Sequence, residues 1–452
     1  MADNAGMTDA PKAQDNERTF DILVAGAGAA GLALAGALKQ AVRRLRIAVV
    51  DPKPDAGDGG LRTVALSQGS RALLTRVGAW TSLEPLAQPI LKMAMYDGGV
   101  RDSVRLEQMS FDAEAGAPLA HMATNDDVAA SLRKACDDLG VEMLRGAVKG
   151  FAPGRQNGRI ELADGGALRA RLVVAADGAR SKLRTLADIP TVGWDSGQSA
   201  IVATIAHERE HEGRAEQHFL PAGPFAILPM TGRRSSIVWN ESHADAEAML
   251  ALGAEDFLRH LERRFTLKLG ALQVVSPVRS YPLAFRFARR FVADRLALIG
   301  DSAHLVHPLA GQGLNLGLRD VASLAEILVE PLRLGLDPGD PGTLAAYERA
   351  RRFDVVASGF GMDAMNRMFS NDISPLRFAR DLGLRIVDKT PPLKRLLMAE
   401  AAGASERDWA KAKGEADPAE APPKERSGTD DGTPPVGISG RPKGGRTGTA
   451  LA

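Results

Sequence analysis

Residues 21–38 read DILVAGAGAAGLALAGAL, and residues 47–51 read IAVVD. Asp21–Ala25 is a short apolar run of the kind that forms a buried strand. Gly26, Gly28 and Gly31 follow, spaced as GxGxxG, and Leu32–Leu38 suits a helix packed closely on a sheet. Ile47–Val50 is a second strand that ends at Asp51. The expected unit is strand, helix, parallel strand. Gly26 allows the tight turn, Gly28 lets the backbone approach a pyrophosphate, and Gly31 lets the helix touch the strand. The helix start offers free N–H groups and the positive end of its dipole to an anion. Asp51 stands where an acid meets a ribose hydroxyl in such units. A glycine-rich packing seam is the plain alternative, and the motif alone does not separate NAD from FAD.

Two further strand ends carry acids. Arg171–Gly178 reads RLVVAADG, a buried strand followed by Asp177 and Gly178. Alone this is an ordinary turn. Arg295–Gly300 reads RLALIG and leads into Asp301, Ser302, Ala303 and His304. Gly311, Gln312, Gly313, Leu314 and Asn315 then open a long helix, with Leu318, Val321, Ala325 and Leu328 at helical spacing and Pro331 expected at its end. A carboxylate at such a strand end can accept hydrogen bonds from a polyol, and a helix start can stabilise negative charge on a flat ring. Asp301 as a simple helix cap is the alternative. His304 and His307 have no third ligand nearby, so no metal is expected.

The chain around these segments is soluble in character. It has 452 residues, 44% hydrophobic and 25% charged, enough for about three domains. Lys+Arg number 57 against 56 Asp+Glu, and aromatics are 5%, which excludes a chain-wide nucleic-acid polycation and leaves little for base stacking. The single cysteine, Cys136, excludes an intrachain disulfide and a cysteine-ligated cluster. The opening residues do not read as a secretion signal. The longest uncharged stretch, Ile22 to Leu38, is too short for a membrane span of about 20 residues.

Residues 1–19 read as a disordered arm. Residues 20–190 form the first part of the dinucleotide-binding domain, and 191–280 a β-rich insertion with the extended runs IVATIAHERE, QHFL, FAILPM and SSIVWN. Residues 281–360 complete the first domain, 361–402 form C-terminal helices, and 403–452 are a Pro, Gly and charge-rich disordered tail.

In this order and spacing the segments resemble the FAD-dependent aromatic hydroxylases of the para-hydroxybenzoate hydroxylase fold. The sharper likeness is to the branch that serves ubiquinone biosynthesis. It is carried by LRTVALSQGSRALLTRVGAW (61–80), VVAADGARSKLR (173–184), GDSAHLVHPLAGQGLNLGLRDVASLAEIL (300–328) and MNRMFSND (365–372), and it extends from about Phe20 to Gly403.

The resemblance implies an α/β fold, an FAD-binding Rossmann-like domain interrupted by a β-sheet substrate domain and followed by C-terminal helices. It implies a monooxygenase that takes electrons from NAD(P)H or a redox protein, uses O2, and hydroxylates a hydrophobic prenylated phenol. Gly26, Gly28 and Gly31 would surround the FAD pyrophosphate, with Asp51, shorter than the family's usual Glu, on the adenosine ribose. Arg62 would touch the FAD near the pyrophosphate, a surface salt bridge being its alternative. Asp177 and Gly178 would lie in the motif shared by FAD and nicotinamide, and Asp301 would bind the ribityl chain. Gly311, Gln312, Gly313, Leu314 and Asn315 would line the isoalloxazine.

In such enzymes the cofactor does the difficult step while the protein binds, orients and excludes water. No catalytic base is identified. Pro224, Phe225, Ile227, Leu228 and Pro229 suggest an apolar wall of the substrate pocket, ordinary core packing being equally compatible. Pro375–Leu397 mixes basic and apolar residues. It reads either as a membrane-surface contact or as helices with a basic outer face. The implied setting is cytoplasmic, peripheral to the inner membrane or within a biosynthetic complex, without nucleic acid. Two other readings remain open here: a related flavoprotein monooxygenase or reductase on another aromatic or isoprenoid substrate, and a flavin-binding subunit without turnover.

Overall fold

The computed structural model describes residues 17–55, 57, 62–98, 105–113, 117–265, 267–306 and 312–369. The expected tail at 403–452, most of the 1–19 arm, His307, Gly311 and Pro375–Leu397 lie outside them. Two large sheets and a small one organise the described residues.

The first sheet has a parallel centre. Arg18–Ala25 lies between Ala167–Ala175 and Ile47–Asp51, with Leu296–Leu298 beyond the former and Glu142–Arg145 beyond the latter. Ile22, Leu23 and Val24 are wholly buried, as are Leu172, Val173 and Val174. Their continuous apolar runs are those of strands covered on both faces. Helix Ala29–Ala41 covers one face, and its Gly36 leaves room for the Val77 and Cys136 side chains. Arg18 and Thr19, expected in a disordered arm, extend the opening strand and pair with Leu168 and Arg169.

The second sheet is largely antiparallel. Thr191–His207, Arg214–Leu220, Gly223–Met230 and Arg234–Ser242 supply its middle, and Arg279–Ala288 pairs with the first of these. Two of its strands, Lys92–Asp97 and Leu106–Asp112, come from within 20–190, and Lys92–Asp97 pairs in parallel with Arg214–Leu220. The expected insertion boundary therefore divides the chain more simply than the sheet does. Hydrogen-bond pairing between distant segments leaves no local mark in the sequence.

Strand alternation gives this sheet two unlike faces. On the outer face Ile201, Phe225, Ile227, Ile237 and Trp239 pack with Phe257, Leu261 and Phe265. The latter come from helix Ala254–Phe265, which the β-rich reading of 191–280 did not anticipate. On the inner face Ala215, Ala226, Leu228 and Met230 pack against Ala65, Ile90 and Met122 of the three-stranded sheet. The expected apolar wall is thus split by the two-residue period. Leu228 faces inward, while Phe225 and Ile227 belong to the outer core.

Helix Gln312–Arg333 runs past Pro331 instead of stopping there. The proline sits in the last turn, where it removes a single hydrogen bond. Helix Pro341–Phe369 follows, crossing the expected boundary at 360. Among the described residues no helix is long and apolar enough to cross a membrane.

Candidate active site at the carboxyl edge of the parallel sheet

All three acid-bearing or glycine-bearing turns leave the carboxyl ends of neighbouring parallel strands. Ala25 is paired with Ala175, and Ala175 with Leu298. The opening strand lies between its successor in the chain and a much later strand. That is a topological switch point, where the crevice of an open α/β sheet receives its ligand.

The first turn is held by contacts that exclude side chains. Gly26 has φ +112°, and a Cβ there would fall 2.2 Å from the Ala176 carbonyl oxygen. A Cβ on Gly31 would fall 2.1 Å from the Gly26 carbonyl oxygen. Gly28 differs: among the described residues nothing lies within 4 Å of a Cβ built there. Its small size therefore leaves space in front of the helix start instead of relieving a clash. Helix Ala29–Ala41 has no side-chain cap and no acid in its first turn, which suits an anion at that end. Asp51 braces the turn. Its Oδ2 accepts from the Ala27 N–H at 2.9 Å, and its Oδ1 from the Lys53 N–H at 2.7 Å. A carboxylate offers about four acceptor positions, so a ribose hydroxyl can still be accommodated.

Asp177 serves the second turn. Its Oδ2 accepts from the N–H groups of Lys182 and Leu183, at 2.7 and 3.2 Å, at the start of helix Lys182–Leu186. Its Oδ1 is buried and has no hydrogen-bond partner among the described residues. Arg184, which the motif reading passed over, joins the second turn to the third by donating to the carbonyls of Ala179 and Ser302, at 2.9 and 2.7 Å.

The third turn carries Asp301 over a buried ionic scaffold. Asp301 is exposed, yet burial by its surroundings raises its carboxyl above the usual carboxylate range, while the charges of His304 and Arg62 pull it back. An exposed group with that much protein around it lies on the floor of a concavity. Arg62 is also exposed and acts on this same carboxylate, so the cleft brings together two residues 239 positions apart.

Beneath Asp301, Asp320 is fully buried. It accepts from the Gly300 N–H at 2.9 Å, pairs with His304 Nε2 at 2.6 Å, and accepts from Arg351 Nε at 2.8 Å. Burial alone would raise its carboxyl; His304 and Arg351 hold it below the usual range. His304 is therefore engaged with a carboxylate. Asp320 was missed by the motif reading. Its signal was a lone acid on an apolar helical stripe, four residues from both Leu316 and Leu324, which are buried.

The residues expected around the flat ring divide. Among the described residues nothing lies within 4 Å of a Cβ built on Gly313, and Leu314 is half-buried. Gln312 opens the helix, and Gly311 lies outside the described residues. Asn315 departs from expectation. Its side chain is 2% exposed. Its Oδ1 accepts from Ser67 N–H at 3.0 Å and Ser70 Oγ at 2.7 Å, and its Nδ2 donates to the Ala65 carbonyl at 2.8 Å. It is a strut between the helix and the Arg62-bearing segment, so only its backbone is available to line a ring.

The second sheet adjoins this cleft. Thr63 Oγ1 lies 2.9 Å from Ser236 Oγ on its inner face. His304 and Leu305 pair with Phe287 and Arg286 at its edge. A second ionic cluster sits elsewhere. Glu216 meets His218 Nε2 at 3.0 Å and Arg214 Nε at 2.9 Å, and Tyr96 stacks on His218. Burial would raise Glu216, but His218, Lys268 and Arg214 outweigh it and bring it down to about 2. This cluster lies on the outer parity of the sheet, beside Phe225, and does not reach the cleft.

The site combines Gly26 and Gly31, where a Cβ has no room, an open approach at Gly28, an unpartnered Asp177 oxygen and a carboxylate on a concave floor. All suit a dinucleotide with a polyol arm. Comparison with known proteins agrees. Residues 19–357 match the family model described as "FAD binding domain". The ubiquinone hydroxylase UbiL of Rhodospirillum rubrum is 44% identical over 395 residues, 86% of this chain and 90% of that protein. The 3-demethoxyubiquinol 3-hydroxylase of Escherichia coli is 32% identical over 390 residues, covering 84% and 96%. Among solved structures, p-nitrophenol 4-monooxygenase PnpA from Pseudomonas putida shares the fold, with a TM-score of 0.70, 20% identity, and 85% and 98% coverage.

Proposed function

The chain belongs to the FAD-binding-domain family, and from that premise we propose that it is an FAD-dependent monooxygenase hydroxylating the aromatic ring of a polyprenylated phenol in ubiquinone biosynthesis. The observation that carries this reading is the likeness to a ubiquinone hydroxylase along nearly the whole of both chains.

The site residues take the following roles. Gly26, Gly28 and Gly31 shape the turn on which the FAD pyrophosphate rests, and the uncapped helix start faces its charge. Asp51, already bracing that turn, meets the adenosine ribose. Arg62 offers its guanidinium to the phosphate-bearing arm. Asp301 accepts hydrogen bonds from the ribityl hydroxyls, while Asp320 fixes its turn through Gly300. Asp177 and Gly178 border both the flavin and a docking nicotinamide, and Gln312, Gly313 and Leu314, with Gly311, flank the ring. FAD, when bound, supplies the electron storage and oxygen activation. The chain's contribution is to hold the ring at the switch point and keep water from it. The parallel sheet, drawn from 20–190 and 281–360, forms the cofactor half. The second sheet, drawn from 92–112, 191–242, 272–288 and 304–305, walls the substrate.

NAD(P)H or a redox protein supplies electrons, and O2 supplies the oxygen atom. A polyprenylated substrate partitions into membranes, so the enzyme works at a membrane surface or in a biosynthetic complex on the cytoplasmic side. A strain lacking the protein accumulates a quinone precursor short of one ring hydroxyl. Absence of such a precursor, together with no O2-dependent product from the purified FAD-loaded protein, would remove the reading.

A further inference from the structure

Helix Gln312–Arg333 ends in a glycine turn at the amino side of the parallel sheet. Gly335 has φ +76°. Its N–H donates to the Leu332 carbonyl at 3.2 Å, and the Leu336 N–H donates to the Pro331 carbonyl at 2.8 Å. This pair of bonds fixes the chain beyond the helix, and the residue after the glycine commonly packs back on the last turn. Here that residue, Leu336, is 55% exposed, and Leu334 before the glycine is 66% exposed. No other described leucine, isoleucine or valine is as open. Two leucines are thus held in water on a fixed tip, at a cost that the fold itself does not explain.

The polar groups of the tip are already satisfied. Arg44 Nη2 donates to the carbonyls of Leu332 and Arg333, at 3.0 and 2.7 Å. Arg171 Nη2 donates to those of Leu336 and Gly335, at 2.6 and 3.4 Å. A backbone that carries its own donors can leave water for an apolar layer without losing hydrogen bonds.

The surroundings are basic. Arg43, Arg44 and Arg46 lie in one exposed loop, Lys39 is tied to that loop through the Leu45 carbonyl at 2.7 Å, and Arg333 precedes the tip. Asp21 answers Arg171 at 3.3 Å, and Glu330 lies one turn before the tip. Asp337 is taken by Arg295 at 2.6 Å. Arg43, Arg46 and Arg333 have no carboxylate partner among the described residues; Arg43 holds only Gln40, and Arg46 sits over the Phe20 ring. With the whole chain at a formal net charge of +1, this surface concentrates positive charge instead of sharing an overall excess.

We propose that this edge docks on an anionic lipid bilayer, Leu334 and Leu336 entering the headgroup layer and Arg43, Arg46 and Arg333 meeting lipid phosphates. Apolar side chains on a tip with satisfied carbonyls, inside a ring of unpaired arginines, match the two layers of such a surface, its acyl boundary and its phosphates. The proposal rests on the membrane setting of the proposed function, for which it names the surface, and on none of the chemistry. The tip lies at the opposite ends of the strands from the cofactor turns, so docking there leaves the cleft uncovered.

The test uses the FAD-loaded full chain and two kinds of vesicle, phosphatidylcholine alone and phosphatidylcholine with phosphatidylglycerol in equal parts. Binding is read by co-sedimentation, and retained FAD with an unchanged circular dichroism spectrum establishes folding. The parent binds the mixed vesicles at least about tenfold more tightly than the neutral ones. Raising the salt from about 0.1 M to about 1 M removes most of that difference, since the screening length falls from about 10 Å to about 3 Å. The double variant Leu334→Ser/Leu336→Ser weakens binding to the mixed vesicles at least about tenfold. Arg43→Gln/Arg333→Gln weakens it about 25-fold, about fivefold for each charge. A parent that does not sediment with the mixed vesicles, or that binds both kinds equally, overturns the proposal. So does a folded variant of either pair that binds as tightly as the parent, because the contact then lies elsewhere, as in Pro375–Leu397. Each pair decides the matter if the other does not fold. Product formation separates the two layers. A parent that binds vesicles as expected but forms no hydroxylated product with NAD(P)H and O2 removes the proposed reaction and leaves the surface standing. A parent that forms product but binds no vesicle removes the surface alone.

Discussion

Two buried carboxylates, Asp320 and Glu216, have nearly the same company and different work. Each is paired with a buried histidine and an arginine, and each is held below the usual carboxylate range against the opposing effect of burial. Asp320 also grips a backbone N–H, that of Gly300, in the turn that presents Asp301. Glu216 holds side chains, joining strand Arg214–Leu220 to Tyr96 and Lys268. An ion pair that includes a backbone group transmits its geometry to the neighbouring turn, whereas one made of side chains stabilises only its surroundings. The difference predicts which cluster the cofactor feels.

The largest effect is expected from Asp320→Ala. It leaves buried His304 without its acceptor and Arg351 with only Asp354, at 2.6 Å, a change worth about 3–5 kcal/mol. Denaturant unfolding should show that loss, and FAD titration of whatever folds should show weakened binding as well. Stability lost with FAD affinity intact would mean that Asp320 does not shape the cofactor turn.

Acid titration examines the other member. The carboxyl of Glu216 is lower in the folded chain than its ordinary 4.5. Its contribution is therefore complete above that value and declines as the pH falls toward about 2. The difference corresponds to at most about 3 kcal/mol. Comparing the parent with Glu216→Gln from pH 6 downward isolates it: the variant should lack part of the parent's acid-dependent loss while binding FAD normally at pH 7. Identical pH slopes for the two proteins would remove Glu216 as a source of acid sensitivity.

Legibility differed between these regions for a physical reason. The glycine turn could be read because its requirements are local: Gly26, Gly28 and Gly31 each meet backbone or open space within a few residues or across one strand. Asp177 and Asp301 could be read because both follow strands of continuous apolar residues. The strands Lys92–Asp97 and Leu106–Asp112 could not be placed, since their partners lie far away in the chain. The side-chain bonds of Asn315 could not be read, because a helix start does not announce which side chains turn toward Ser67 and Ser70.

The smallest and most selective effect is expected from Asp301→Ala. The proposed hydrogen bonds from ribityl hydroxyls to a charged acceptor are worth roughly 1.5–3 kcal/mol. FAD affinity should therefore fall about 10- to 150-fold. The apoprotein should unfold as the parent does, since Asp301 is exposed. FAD titration with circular dichroism reads both quantities. Unchanged affinity in a folded variant would make Asp301 a turn residue only, and Asp320 a support with nothing functional above it.

The second sheet is stitched from four separate stretches of chain: 92–112, 191–242, 272–288 and 304–305. Its last strand continues directly from the Asp301 turn. With the substrate walled by this sheet, as proposed, substrate range is not a removable cassette. Transplanting 191–280 from a relative would import two foreign seams, one against Lys92–Asp97 and one along Arg279–Ala288, and the second runs into the cofactor's own loop. Exchange of specificity between such enzymes is geometrically simpler by single inward-facing residues than by recombination of whole segments.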